Sequence, residues 1–458
     1  MEQYIEQITQ VLDDDNLNQV EKEKKLRTIQ NSLMTVAMQE AINRKESELE
    51  RKDTQLIIDR RYERTIQFSF GAITYTRTAY IKGKKTQYPV DQWLGVQRNK
   101  RNSQVFEYYL TQIVAFMTYR KCSLVLEVLT GMTVSKDSFG KLVKKYGEKK
   151  ESQMKYEKEF PKEVKNEDKK QVPVLFIEGD GTLVDTQGIW KPIDKARGKK
   201  EVAVFAVHEG VRKISNRRKK TVNLKVIADI SYADAKRRLI NYIYETYDLS
   251  NTLVIVNSDG GKGYTKRDFK EMVGIDVQME YFIDRYHVTL KLKQRVFVEE
   301  LVEEFQKAIN TWDKAKLQAC LDTFEGFCET QEQLEQHALL KGYLHRHWKN
   351  LKPLRERGIQ IQKEGIGIME SQLRIFTYRM KRQGKAWGAG MQGMIQIIAS
   401  YKNKDYEEVF FEKWEENHKL DNQLKAEDYR INVTEVFEPH VGVIQGKLNL
   451  GTSNVNKV

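Results

Sequence analysis

No apolar run in this sequence approaches the roughly 18 residues that a membrane-spanning helix needs, which excludes a helical membrane protein. The N-terminus, Met1-Glu2-Gln3-Tyr4, has neither the basic start nor the apolar stretch of a secretory signal. Cysteine is scarce: Cys122, Cys320 and Cys328 are odd in number and far apart. They form neither a disulfide framework nor a CxxC metal pair, so reduced thiols in a cytoplasmic protein are expected. Six prolines in 458 residues leave little room for Pro-rich linkers.

What is abundant is charge. Lysine and arginine number 78 against 65 acids, a formal net charge of +13. That balance favours polyanionic partners, nucleic acid first. The length suits about two to four structural units.

Residues 1–64, without Gly or Pro and rich in Glu, Lys, Gln and Leu, read as a helical region. Residues 65–100 hold a β-hairpin: β-branched residues alternate from Thr65 to Phe70 and from Ile73 to Ile81. Residues 101–147 return to helix. An apolar helix from Ser123 to Leu129, a turn at Gly131 and a helix capped by Ser135 make a helix-turn-helix-like DNA-binding region. Lys136, Lys141 and Lys144 are its candidate DNA contacts. The charged stretch 148–170 reads as a linker helix or hinge.

From Gln171 strands alternate with helices: Val172–Ile177, Glu201–His208, Val222–Ile230, a helix Tyr232–Tyr247, a strand Thr252–Asn257, a helix Lys262–Met272 and a strand Val277–Ile283. The basic stretch Arg212 to Lys220 lies between the second and third strands, and Arg217, Arg218 and Lys219 join the candidate DNA contacts. Residues 288–363 are helical, with Trp312, Phe324, Phe327, Leu344 and Trp348 as expected core. Glu364–Gln383 forms a further helix with Gly365 and Gly367 near its start, and a tail follows from 401. The order β-β-β-α-β-α-β makes residues 171–287 and 364–400 an α/β, RNase H-like catalytic core: a mixed five-stranded sheet with an all-α insertion.

In that order the first and fourth strands are neighbours at the sheet centre. Asp180 follows the first and Asp259 the fourth, at the strand ends where open sheets place ligands. Glu370 lies on the late helix, with Arg374, Thr377 and Lys381 on its stripe at +4, +7 and +11. Phosphodiester chemistry needs a clamp on attacking and leaving oxygens, which two Mg²⁺ ions about 3.5–4 Å apart supply. Hard cations take hard oxygen ligands, so the expected metal ligands are Asp180, Asp259 and Glu370, with Mn²⁺ an acceptable substitute. Glu178 competes with Asp180 because it shares a strand face; Asp185 and Glu364 are weaker competitors.

The segments Ile177-Glu-Gly-Asp-Gly, Val256-Asn-Ser-Asp-Gly-Gly, Phe282-Ile-Asp-Arg-Tyr-His287 and Met369-Glu-Ser-Gln-Leu-Arg374, with Arg379-Met-Lys381 and Trp387, resemble the ISLre-type insertion-sequence transposases. So do the hairpin at Phe68-Ser-Phe-Gly71 and the motif Tyr88-Pro-Val-Asp-Gln-Trp-Leu-Gly95. The resemblance implies an RNase H-like Asp-Asp-Glu enzyme of a bacterial mobile element, acting in the cytoplasm at the nucleoid. It carries the triad over to Asp180, Asp259 and Glu370. Asp284 and His287 match an Asp-x-x-His motif that supports the site or the DNA. The chain departs from the family at Gly179, where alanine is expected.

The implied partners are double-stranded DNA, as terminal inverted repeats and as target, and further copies of the chain, at least a dimer. Two alternatives stay open: an RNase H-like nuclease or resolvase without strand transfer, and a domesticated, non-catalytic DNA-binding protein. Gly365 and Gly367 also leave two readings open. The junction before Glu370 moves when DNA binds, or the glycines only allow tight packing.

Overall fold

The computed structural model describes residues 2–52, 56–83, 85–160, 164–187, 198–215, 218–361, 365–381 and 385–414. Met1–Phe410 forms one compact unit; a second begins at Phe411.

The first 64 residues are not one helix. α1 (Glu2–Asp13) and α2 (Gln19–Lys52) are separated by a turn, and a strand begins at Ile57. The break is chemical: the Asn18 side chain accepts from the Glu21 amide at 3.0 Å, and the Glu21 carboxylate accepts from the Asn18 amide at 2.9 Å. This reciprocal cap starts α2 afresh. β1 (Ile57–Phe68) and β2 (Gly71–Lys82) form the expected hairpin, extended by β3 (Lys85–Gln87). The first half of β1 is charged and exposed, so only its ladder to β2 marks it as strand. In α3 (Pro89–Trp93), Asp91 is buried, pairs with Arg64 and Arg77, and accepts from Tyr75 at 3.1 Å.

α4 (Gln104–Ile113), α5 (Tyr119–Thr130) and α6 (Lys136–Glu159) form the helical region. Gly131 ends α5 at φ 71°, and Ser135 caps α6 through the Ser138 amide. Lys136, Lys141 and Lys144 are exposed, while Phe139, Leu142, Val143 and Tyr146 are buried on the other face. α6 does not stop at 147: the first half of the expected linker continues it. The residues buried there, Lys150 and Gln153, are polar, which hides the amphipathic pattern.

β4 (Lys170–Gln171) makes a short parallel pair with β10 (Tyr247–Asp248). The main sheet is mixed and five-stranded, in the order β12 (Met279–Ile283), β11 (Leu253–Ser258), β5 (Val174–Thr186), β6 (Gly198–His208), β9 (Lys225–Asp229). β6 runs antiparallel to its neighbours β5 and β9; β11 and β12 run parallel to β5. The first and fourth core strands are therefore neighbours, as expected. β5 is far longer than the apolar run Val172–Ile177, because its pairing to β6 carries it through polar residues to Thr186.

Between β6 and β9 the chain forms a ribbon, β7 (Val211–Ser215) and β8 (Arg218–Thr221), where a basic stretch gave no strand signal. Its register sets Arg212 opposite Lys220 and Lys213 opposite Lys219, all exposed. Like charges directly opposed weaken a pair of strands.

α7 (Tyr232–Thr246) and α8 (Lys266–Val273) share one sheet-face cluster, with Leu239, Ile243 and Phe269 packed against Ile177, Phe205 and Val256. The insertion joins the same cluster through α9 (Arg285–Arg295), α10 (Glu299–Asn310), α11 (Lys314–Gly326) and α12 (Gln331–His347). Phe324, Leu344 and Trp348 are buried and Trp312 packs partly, but Phe327 is 51% exposed just past the end of α11. The opposite sheet face carries α13 (Met369–Met380), α14 (Met391–Asn403) and α15 (Tyr406–Phe410). α14 bonds to β9, Gln396 donating to the Ala228 carbonyl at 2.8 Å. Its Gly393 meets Gly147 of α6 so closely that a Cβ on Gly147 would lie 2.8 Å from the Gly393 Cα. Among the described residues no helix is long and apolar enough to cross a membrane.

Lys150 is buried on α6, with Asp405 at 3.9 Å; Asp405 also pairs with Lys225 at 3.2 Å. Burial alone would raise the Asp405 carboxyl, but Lys150 and Lys225 outweigh it and hold the pKa below its usual 3.8. A depressed carboxylate pKa gives stability that is present above the unfolded value and lost as pH falls through the folded one. Asp405→Asn is therefore expected to cost about 2 kcal/mol at neutral pH. Denaturation curves should show the gap to wild type closing below pH 3.8.

Candidate active site at the strand ends

Alternation along β5 points Phe176, Glu178 and Asp180 to the α13 face and Ile177 to the other. Asp180 does not follow the strand; it sits inside it, paired to Val204 and only 8% exposed. The parallel register sets Asn257 beside Glu178 and Ser258 beside Gly179. Asp180 is the next residue after Gly179 in β5, and Asp259 is the first residue past the end of β11. The register to β12 sets Ser258 beside Ile283, and the Asp284 amide continues that ladder to the Ser258 carbonyl at 2.7 Å. By chain position Asp180, Asp259 and Asp284 thus form a row, the first within β5 and the other two one residue past the ends of β11 and β12.

His287 completes the row. Its Nε2 lies 3.3 Å from Asp180 Oδ2, and Gly181 donates to Asp180 Oδ1 at 2.7 Å. The hydrogen bond to Asp180 raises the His287 pKa above 6.5 against the effect of burial, with Asp284 and Asp259 adding to the rise. Asp284 caps α9 through the Tyr286 amide at 3.0 Å, and burial raises its carboxyl. The loop after β11 holds Asp259: Gly260 and Gly263 take φ 77° and 88°, and Ser258 donates to the Tyr264 carbonyl at 2.6 Å.

Glu178 is not a second Asp180. Its carboxylate accepts from the amides of Gly367 and Ile368 at 2.9 and 3.1 Å, and of Met369 at 3.0 Å. Asn257 Nδ2 donates to it at 3.3 Å. It is the anchor of the helix that carries Glu370, set where a helix N-terminus favours negative charge. Asp185 points to the other sheet face, by alternation along β5. Glu364 and Arg217 lie outside the described residues.

The helix starts at Met369, after the glycines and not through them. Gly365 is a close approach: a Cβ there would meet His208 Cε1 at 3.1 Å and Gly210 Cα at 3.2 Å. Gly367 takes φ 92°, a backbone that suits glycine. Both glycines thus have a static use, in line with the packing alternative. Glu370, Arg374 and Lys381 are exposed, with Leu373, Phe376 and Met380 buried opposite, so the expected stripe is present. The structure does not bring Glu370 into the aspartate row. Among the described residues, no three of His, Cys, Asp and Glu form a group that could hold a metal ion.

Three site residues come from the insertion side and carry no local motif. Lys291 lies over the Tyr343 ring at 4.1 Å. His347 Cε1 would touch a Cβ on Gly260 at 3.2 Å, and its Nδ1 is buried without a hydrogen-bond partner. Burial lowers the pKa of Lys291 and of His347, while Asp259 pulls both the other way. No spacing ties them to Asp259 in the sequence; only the fold does.

Gly179 has a physical reason. A Cβ there would lie 2.9 Å from Phe205, Phe269 and Tyr264 at once. Gly179→Ala, which restores the residue the resemblance leads one to expect, should destabilise this chain by about 1–3 kcal/mol. Thermal denaturation measures it; an unchanged midpoint would mean the three rings can give way.

A family profile described as "Uncharacterised protein family (UPF0236)" matches residues 12–416. A UPF0236 protein in the vanSb 3′ region of Streptococcus gallolyticus is 31% identical over 372 residues, covering 78% of this chain and 79% of that one. Two UPF0236 proteins of Caldanaerobacter subterraneus are each 23% identical over 373 residues, covering 80% of this chain and 73% or 70% of theirs. Among solved structures, the Drosophila P element transposase strand transfer complex matches 72% of this chain and 84% of its own. That match has 10% identity and a TM-score of 0.25, which does not equate the two folds.

Proposed function

The chain belongs to the UPF0236 family, and from that premise we propose that it is a DNA transposase of a bacterial insertion sequence, of the ISLre type, with an RNase H-like core. The observation that most supports the reading is the register of the adjacent strands β5 and β11, which pairs Gly179 with Ser258, the residues just before Asp180 and Asp259. The mixed sheet, with its first core strand beside the fourth, is in keeping with the expected RNase H-like order.

Two further observations support it. The names of the two Caldanaerobacter relatives join four and two serial numbers; taken as gene copies, that is what a self-copying element leaves in a genome. The opposed cations of the β7–β8 ribbon repel one another and suit a polyanion such as duplex DNA. Arg218 and Lys219 would contact phosphates there, and Lys136, Lys141 and Lys144 on α6.

In chemistry the oxygens of Asp180, Asp259 and Glu370 suit Mg²⁺, though the structure does not gather the three into one group. Bound there, Mg²⁺ ions would stabilise charge on the attacking and leaving oxygens of a phosphodiester. Glu178 holds the start of α13, the helix that carries Glu370, through the amides of Gly367, Ile368 and Met369. Asp284 and His287 orient Asp180 and exclude bulk water from it. Two DNA ends must be joined, so the active complex holds at least two copies.

The test uses duplex oligonucleotides copied from the DNA flanking the gene, incubated with the full chain, Mg²⁺ and a supercoiled plasmid. Nicking at the element boundary followed by joining to the plasmid is the expected result. Nicking without joining would leave a nuclease or resolvase. Binding without nicking would leave a non-catalytic DNA-binding protein.

A further inference from the structure

Beside the aspartate row lies a cleft of about 360 Å³, between the end of the insertion and the segment 365–368 that leads into α13. Phe282, Leu351, Leu354 and Ile366 supply apolar walls, Asp284 of the row lines it, and Arg355 is among its cations. Asn257 also lines it and is 2% exposed. The Asn257 amide nitrogen is committed to Glu178, but its Oδ1 is buried with no hydrogen-bond partner. A buried acceptor without a donor costs about 1–3 kcal/mol. A ligand that brings an N–H recovers that cost.

We propose that this cleft is a binding pocket for a single unstacked nucleobase, with the orphaned Asn257 Oδ1 accepting from an N–H on the base edge. The chemistry selects this ligand. The volume suits one heterocycle with part of its sugar, and the walls suit its flat faces. The unfilled acceptor asks for an amine or imide N–H, which apolar ligands lack. Arg355 at the cleft suits the attached phosphate. Taking a base out of the stack costs a few kcal/mol, and enzymes that act on a base do so routinely. A pocket that shares Asp284 with the aspartate row would hold that base next to the reacting strand. The inference rests on the transposase reading for its purpose but not for its test.

The test measures binding of free nucleotides to the full chain by calorimetry or ligand-observed NMR, without DNA or cleavage. Adenosine 5′-monophosphate is expected to bind with a dissociation constant in the millimolar range, about −4 kcal/mol. Purine riboside 5′-monophosphate has the same shape without the amino group and should bind about tenfold more weakly. Ile366→Trp, a change at a partly exposed wall residue, should fill the cleft and remove the binding.

No binding of adenosine 5′-monophosphate at about 10 mM would overturn the pocket. So would equal binding of the two nucleotides, or binding untouched by Ile366→Trp, which would place the nucleotide elsewhere on this basic protein. Amine-dependent binding by a protein that never cleaves DNA would keep the pocket and sink the transposase reading. Cleavage and joining with no nucleotide binding would do the reverse.

Discussion

Asp180→Asn leaves the fold and the DNA affinity in place and lowers Mg²⁺-dependent cleavage by on the order of a thousandfold. The residue is the centre of the candidate site: buried in the middle of β5, one residue past the pair of Gly179 and Ser258, and bonded to Gly181 and His287. Asparagine keeps the shape and the acceptor for the Gly181 amide. It removes one negative charge from a row of three, so the folded protein loses repulsion and not packing. What it cannot do is bind a hard cation with an anionic oxygen. Thermal denaturation and binding to element-end duplex serve as controls, and strand cleavage is the readout. Wild-type cleavage by the variant would remove Asp180 from the catalytic set.

Glu178→Ala is expected to be the most destabilising single change at the site, by about 3–5 kcal/mol. It deletes a buried carboxylate that serves three amides at the start of α13, and it leaves Asn257 and His208 facing a void. Glu178→Gln separates charge from shape. An amide has one oxygen, so an NH₂ group is turned toward backbone donors; about 2 kcal/mol should be lost. Denaturation gives the sizes, and amide exchange at Ile368 and Met369 gives the place. Cleavage should fall in both variants, because Glu370 follows the anchored turn. Changes within about 0.5 kcal/mol would show that α13 is held by its apolar face alone.

Much of the core was legible because buried parallel strands read as apolar runs. Leu253 to Val256 and Tyr281 to Ile283 are such runs, and each ends just short of an aspartate. β5 was read too short because its second half carries Glu178, Asp180, Thr182 and Asp185, which a ladder tolerates and a pattern does not. A strand taken to stop at Ile177 leaves Asp180 past its end, and alternation alone cannot separate Asp180 from Glu178 on the same face. Neighbouring positions on one face can differ wholly in role, and only hydrogen-bond partners separate them.

The capping residues were readable where the cap follows a turn, as at Ser135. Asn18 shows the opposite case, a cap lost inside a long run of good helix formers. Lys291, Tyr343 and His347 were beyond reach for another reason. They meet Asp259 only because the insertion folds back over the end of β11, and no local period records that.

The β7–β8 ribbon sets Arg212 against Lys220 and Lys213 against Lys219. Ionic strength therefore acts on it with two signs. Screening shortens the reach of these exposed charges, to about 8 Å at physiological salt, and so relieves the strain that holds the strands apart. The same screening takes away the advantage of releasing counterions from a bound duplex. Salt should steady the free ribbon and, on the proposed function, loosen its grip on DNA, so this element is expected to be best ordered in the two conditions furthest apart: concentrated electrolyte, and dilute buffer with DNA already in place.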